Sequence, residues 1–524
     1  MNRIYKYALL IIVLTISGCN PKAEPKASNT DQPNVLFILS DDHTSQAWGI
    51  YGGLLADYVQ NRNIERLASQ GTVLTNAFCT NSICTPSRGS ILTGQYSHIN
   101  QVFTLNEPLP RNHPNIARTL SENGYQTAII GKWHLVGKPE GFDYYNVLPG
   151  QGRYWDPILK NETNWIDGHD SSTGQEYKGF STDVITDLTI EHLEKRDKKK
   201  PFIMFCNFKA THEPFDYPER FKDLYKNVDL PEPESLLDFD QKNSGRTFHG
   251  QTLERLGKRW DNATQNPDKF WTGYPGLPYP LDGLDSIQKR KRIYQKLVKD
   301  FMRCGAVIDD NIGKLLDYLE AQGIADNTIV IYTADQGYFL GEHGFFDKRM
   351  IYEESLRMPF VISYPKEIKG GQRLDDIVLN IDFAALLADY AGIVKPDYIQ
   401  GESFRENLKG NTPKDWRKQM YYRYWLHHPD RPSHFGVRNE RYKLVFFYGQ
   451  DLGMKGTSKK TTQPVWEFFD LQKDPKELHN AYGEEAYAPV IAEMKEAIKA
   501  ERKKYKDDDT KYEAMVPILA SELE

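Results

Sequence analysis

The run Asn34-Val35-Leu36-Phe37-Ile38-Leu39-Ser40 leads straight into Asp41-Asp42. Unbroken large apolar residues without polar alternation read as a strand buried on both faces, as in the middle of a parallel sheet. A second such run, Thr328-Ile329-Val330-Ile331-Tyr332-Thr333, is followed by Asp335-Gln336. Further strands are expected over residues 72–78, 127–130, 201–208 and 359–364. Between them lie helical patterns at 63–70, stopped by Gly71, and at 115–122 and 182–195. A long one covers 285–322, with a break expected near Gly305 and an end at Gly323. Strands alternating with helices predict an α/β fold: a large, mostly parallel sheet sandwiched by helices.

Residues 214–284 are rich in Pro, Asp, Gly and aromatics and show no clear period. They read as an insertion over the sheet's edge, either shaping a substrate pocket or serving as padding. Beyond residue 411 short strands are expected at 420–425, 434–437, 442–448 and 466–471. A helix follows at 489–504, with Pro489 in its first turn. The chain therefore divides into a larger domain, 33–410, and a smaller C-terminal α+β domain, 411–524, carrying an antiparallel sheet.

The chain has 524 residues and a formal net charge of −6. That charge gives no sign of nucleic-acid binding, and an anionic substrate would need a local cationic pocket. Arg3 and Lys6 precede the apolar stretch 8–16 and then Ser17-Gly18-Cys19. This is too short to span a membrane and reads as a signal peptide over 1–18. Its end resembles a bacterial lipobox, which implies lipidation of Cys19 and a polar tether over 19–32. The expected location is then lipid-anchored, on the periplasmic side or the cell surface of the outer membrane of a Gram-negative bacterium. Cys79, Cys206 and Cys304 lack framework spacing and read as buried thiols rather than disulfides.

The chemistry gathers at predicted strand ends, where open parallel sheets bind ligands. Asp41-Asp42 and Asp335-Gln336 offer hard oxygen ligands for a cation. Lys132 and His134 follow the strand at 127–130, and His212 follows the one at 201–208. Lys348 lies downstream of Asp335. Taken singly, each is as readily a loop residue as a ligand. Cys84-Thr85-Pro86-Ser87-Arg88-Gly89-Ser90, closed by Leu92-Thr93-Gly94, is more specific. It has neither the CxxC spacing of a redox pair nor that of a zinc site. Pro86 in a first turn predicts a helix that begins at Cys84, and helix N-termini favour anions.

This Cys-x-Pro-Ser-Arg motif with Leu-Thr-Gly resembles the signature of the formylglycine-dependent (type I) sulfatases of the alkaline-phosphatase superfamily. The remaining elements occur in the expected order from Asn34 to Leu471. The resemblance implies that a maturation enzyme oxidises Cys84 to an aldehyde, formylglycine, whose hydrate is the nucleophile. It implies one Ca2+ held by Asp41, Asp42, Asp335 and Gln336 together with the modified Cys84. Gln336 departs from the commoner Asn or His, but an amide oxygen still suits calcium. Arg88 and Lys132 would stabilise the ionised hydrate, Lys348 and Lys132 the sulfate oxygens. His212 would protonate the leaving sugar oxygen, and His134 would take the proton that lets sulfate depart. His343, flanked by glycines, reads as structural.

Pro149-Gly150-Gln151-Gly152 with Tyr154, Asp335-Gln336-Gly337 and Tyr421-Tyr422-Arg423-Tyr424-Trp425 resemble the polysaccharide sulfatases of this family. The implied substrate is a sulfated poly- or oligosaccharide, with ulvan, an algal polymer of sulfated rhamnose, as first expectation. Glycosaminoglycan N-acetylglucosamine 6-sulfate and carrageenan are the alternatives. Arg423, His427 and His434 are candidate sugar contacts. A phosphonate or phosphate ester hydrolase and a non-catalytic glycan-binding lipoprotein are the competing classes; a pure binder has no use for the acid–base residues.

Overall fold

A computed structural model describes residues 32–239, 250–269 and 273–523. The expected signal peptide, Cys19 and all of the tether but its last residue lie outside the described residues.

A ten-stranded sheet organises the chain. Its order is Gln372–Leu374, Thr72–Leu74, Phe360–Ser363, Thr328–Ala334, Asn34–Asp41, Phe202–Thr211, Gln126–Lys132, Tyr144–Leu148, Ile158–Asn161 and Gln175–Glu176. The centre is parallel, and antiparallel pairs occur at Phe360–Ser363 and at the far edge. Asn34–Asp41 sits in the middle, between Phe202–Thr211 and Thr328–Ala334. Its side chains alternate between two cores: Val35, Phe37 and Leu39 face one, Leu36 and Ile38 the other. This is the period-two geometry of a strand with both faces covered, which explains why no polar alternation marks it.

The helices Arg62–Ser69, Ser181–Lys195 and Ser286–Ala321 cover the face of Leu36 and Ile38. Ser286–Ala321 is one unbroken helix of 36 residues, started by a capping box between Asp285 and Gln288. The break expected near Gly305 is absent. A Cβ at Gly305 would lie 3.1 Å from His43 Nε2, so the glycine admits a neighbouring ring rather than ending the helix.

Two further expectations need correction. Residues 72–78 are two strands, Thr72–Leu74 in the main sheet and Ala77–Phe78 paired with Val378–Leu379. Thr75 and Asn76 donate side-chain hydrogen bonds to Asp375 at the turn between them. The insertion is also not shapeless. It holds the helix Leu253–Gln265, whose Leu253, Leu256, Gly257, Trp260 and Ala263 bury one face against the start of the long helix. Gly257 within it and Pro- and Gly-rich flanks masked that period.

Gln419–Tyr424, His434–Asn439, Tyr442–Phe447 and Val465–Asp470 form a four-stranded antiparallel sheet in sequence order. Ala488–Tyr505 packs on it. Its apolar residues are continuous with the core on the Phe37 face of the main sheet. Cys79, Cys84, Cys206 and Cys304 are all buried and free.

Candidate active site

Register brings the strand ends together. Ser40 pairs with Ala334 and Asp41 with Thr211, so Asp41, Asp42, Asp335 and His212 meet at one edge. Asp42 adopts φ 62°, a left-handed conformation that Asp tolerates better than most residues. The turn is held by the Asp42 N–H, which donates to Asp335 Oδ1 at 3.0 Å. Gly131, at φ 102°, lets the neighbouring strand close in, since a Cβ there would collide with the Asn207 carbonyl. That approach delivers Lys132 to the same edge.

The expected helix begins at Cys84 and runs to Thr93, entirely buried. Its N-cap residue, Ile83, supplies no side-chain cap, so the first turn keeps N–H groups for an anion. Cys84 Sγ lies 3.8 Å from Asp42 Oδ1 and 3.8 Å from Gln336 Nε2. Arg88, one turn on, donates through Nε to Asp335 Oδ2 at 2.9 Å and through Nη1 to the Lys132 carbonyl at 3.0 Å. Its other terminal nitrogen is 3.6 Å from Asp41 Oδ1. Lys132 Nζ pairs with Asp41 and donates to Gln151 Oε1 at 2.6 Å. Lys348 Nζ is 2.5 Å from Asp42 Oδ2.

Asp41, Asp42 and Asp335 present oxygens within 4.8 Å of one another, all buried. Burial and then the charge of Asp41 push the Asp335 carboxyl up to about 8, and burial raises Asp42 as well. Crowded, desolvated carboxylates of this kind suit a divalent cation. Gln336 donates its amide nitrogen to Asp42 while its Oε1 is buried with no hydrogen-bond partner among the described residues. Turning that amide over would present the oxygen to the cation, completing a hard-oxygen donor set. The residues therefore fit calcium.

The two histidines differ. His212 Nε2 is 3.8 Å from Asp42 Oδ2, and its Nδ1 lies 2.7 Å from the Glu213 carbonyl. His134 sits at φ 59° with Nδ1 buried and unpartnered among the described residues. Burial, with Lys132 beside it, holds His134 well below the usual imidazole range, so it is a neutral base. Burial and then Lys348 depress His212 too, an effect that an arriving anion opposes. Burial would lower Lys348, but Asp42, Cys84 and Asp347 together outweigh it and hold the ammonium well above its ordinary value.

His134 and His212 open into a cavity of about 1100 Å³. Its other walls come from the 149–155 loop, His169, Lys209, the Glu213–Asp216 turn, and Arg255, Arg259 and Tyr274 of the insertion. The insertion thus shapes a pocket, one of the two readings left open.

Arg423, His427 and His434 are not brought to this cavity. Arg423 is buried, pairing with Asp507 at 2.7 Å and Asp509 at 2.8 Å and stacked 3.6 Å over the Trp425 ring. His427 bonds the Lys460 carbonyl, and His434 stacks on Tyr422 and Phe447 and bonds the Pro432 carbonyl. All three serve the packing of the C-terminal sheet. His343 is likewise buried, stacked on Tyr352. Lys209, Glu213 and Arg259 were not singled out from sequence, and Gln151 was named only within the Pro149-Gly150-Gln151-Gly152 motif. Lys209 directly follows the run expected as a strand over 201–208, which the structure extends to Thr211.

The chain matches the sulfatase family over residues 33–393, and the C-terminal segment of N-sulphoglucosamine sulphohydrolase over 341–504. It is 37% identical to an N-acetylglucosamine-6-O-sulfatase of Bacteroides thetaiotaomicron, over 96% of this chain and 91% of the relative. An ulvan-active sulfatase of Formosa agariphila is 25% identical, over 93% of this chain and 84% of its own. A solved structure described as in complex with its substrate D-glucosamine-2-N,6-O-disulfate superimposes with a TM-score of 0.81 at 34% identity. The match covers 92% of this chain and 100% of that one. Similarity therefore favours the N-acetylglucosamine 6-sulfate alternative over the ulvan expectation.

Proposed function

This chain belongs to the sulfatase family and is a sulfuric ester hydrolase, and on that premise we propose that it removes 6-O-sulfate from glucosamine or N-acetylglucosamine units of a sulfated glycan. The observation that carries this reading is near full-length similarity to relatives described with those sugars.

When present, the Cys84-derived aldehyde supplies, as its hydrate, the nucleophile, and Ca2+ supplies Lewis-acid charge at the sulfate oxygens. The rest falls to side chains. As it stands, the Cys84 thiol is pushed well up, by burial and then by Asp41, and is a poor nucleophile. Asp41, Asp42, Asp335 and Gln336 hold the cation. Arg88 locks Asp335 and the end of the Lys132 strand in place. Lys132 and Lys348 offset charge on the sulfate oxygens. His212 gives a proton to the leaving sugar oxygen, and neutral His134 accepts one as the site resets. The lipobox-like end at Cys19 supports a lipid-anchored enzyme outside the cytoplasm, matured by a formylglycine-generating partner.

The test is sulfate release by calcium-loaded, matured enzyme from N-acetylglucosamine 6-sulfate, glucosamine 2-N,6-O-disulfate and ulvan oligosaccharides, beside Cys84→Ala. The 6-sulfated glucosamines should be the best substrates, C84A should be inactive on all, and peptide mass spectrometry should find the aldehyde at position 84. Faster turnover of ulvan fragments or of phosphate diesters would overturn the reading.

A further inference from the structure

Lys209 lies on the central strand Phe202–Thr211 and is 2% exposed, yet its side chain reaches the wall of the cavity that holds His134 and His212. The other buried lysines each have an oxygen partner. Lys132 has Asp41, Lys348 has Asp42, Lys296 has Asp300, Lys443 has Glu477, and Lys160 has the Ile166 carbonyl. The Lys209 ammonium alone has no hydrogen bond or ion pair among the described residues. Its ammonium lies 4.7 Å over the ring of Tyr154, which is itself held by donating to the His212 carbonyl at 2.5 Å. A ring face replaces only part of the hydration lost on burying an ammonium.

We propose that Lys209 is a binding point for a second anionic group of the substrate, so that the preferred sugar carries a negative charge beyond the sulfate being removed. Several features favour an anion over a neutral hydroxyl. Burial and then Lys132 lower Lys209 to about 8, which leaves it charged at neutral pH. A hydroxyl would leave that charge uncompensated. Glu213, on the same wall, is already bound by Arg259. Asp216 also lines the cavity, accepts the Tyr217 N–H at 2.8 Å, and is itself raised by burial to about 6. Neither carboxylate lies within ion-pair distance of Lys209. Because the cavity is shared with both histidines, the group meeting Lys209 belongs to the molecule whose sulfate is cleaved. It is a sulfate on the same sugar or a carboxylate on the adjoining one.

The inference rests on the sugar-sulfatase reading above. Its test measures kcat/KM for wild type, Lys209→Met and Lys209→Arg on three probes. These are N-acetylglucosamine 6-sulfate, glucosamine 2-N,6-O-disulfate, and a disaccharide joining the 6-sulfated sugar to a uronate. A charge-assisted hydrogen bond is worth roughly 10- to 100-fold. K209M should lose that factor on one doubly charged probe relative to its loss on the singly charged one, with K209R in between. The probe that suffers identifies the anion as sulfate or carboxylate. Equal losses on all three, or none, would overturn the proposal while leaving the sulfatase reading intact. No sulfate release by wild type from any probe would instead sink that reading.

Discussion

His212 Nδ1 lies 2.7 Å from the backbone carbonyl of Glu213, the next residue in the chain. A carbonyl only accepts, so Nδ1 keeps its proton and Nε2 is turned toward Asp42 and the reaction centre. The Glu213 side chain is held in turn by Arg259 and by the Tyr274 hydroxyl, both from the insertion. A segment far from the strand ends thus fixes the ring proposed as the acid.

If His212 protonates the departing oxygen, its removal should matter only where the leaving group needs a proton. His212→Ala is expected to lower kcat on a sugar 6-sulfate by about 10²- to 10⁴-fold. On 4-nitrophenyl sulfate, whose leaving group departs unprotonated, the loss should be far smaller. The wild-type rate on the sugar should fall as pH rises through the His212 pKa, which burial and Lys348 hold below the ordinary imidazole range, and that limb should vanish with nitrophenyl sulfate. Equal losses on both substrates would remove His212 from this role.

The clamp predicts a graded effect. Arg259→Gln frees the Glu213 carboxylate and loosens the carbonyl that orients His212. It should reduce kcat on the sugar sulfate by roughly 5- to 10-fold, less than one charge-assisted hydrogen bond is worth, because the Tyr274 hydroxyl still holds Glu213. Nitrophenyl sulfate turnover should hardly change. A rise in KM alone would mean that Arg259 touches substrate instead.

Calcium binding should strengthen with pH. Asp335 is raised to about 8, so the metal-free fold holds a proton there that the unfolded chain, at about 4, does not. Between those values this group destabilises the metal-free protein increasingly as pH rises, because the folded state binds more protons. A cation displaces them. Thermal melts with and without Ca2+ should therefore differ more near pH 8 than near pH 6. A gap that narrows with pH would argue against the acidic cluster as the calcium site.

Arg423 is expected to govern stability rather than specificity. Arg423→Met removes the buried cation shared by Asp507 and Asp509, leaving the Tyr421 hydroxyl on one and Arg502 on the other, a loss on the order of 3 kcal/mol. Denaturant melts should show it, while the ranking of substrates by the folded fraction stays unchanged. A shift in that ranking would return Arg423 to the sugar site.

Much of this was legible because its signals are short-range. A buried strand such as Asn34–Asp41 is written in consecutive residues, and a helix start such as Cys84 in a nearby proline. The helix Leu253–Gln265 escaped because Gly257 and its flanks broke the local period. The split of residues 72–78 escaped because the turn is stabilised by Asp375, some 300 residues away in sequence.

The Cys84 motif and the polar pairs after the two apolar runs were enough to reach a sulfatase, since that chemistry is written in contiguous residues. Which charged side chains act together is set by partners distant in the chain, and only the tertiary structure decides it. Lys132 and Lys209 each lie at or near the end of a central strand, and on sequence alone they look alike. The fold places Asp41 against one of them and a tyrosine ring against the other, so that one is ion-paired within the site and the other still faces the cavity without a carboxylate.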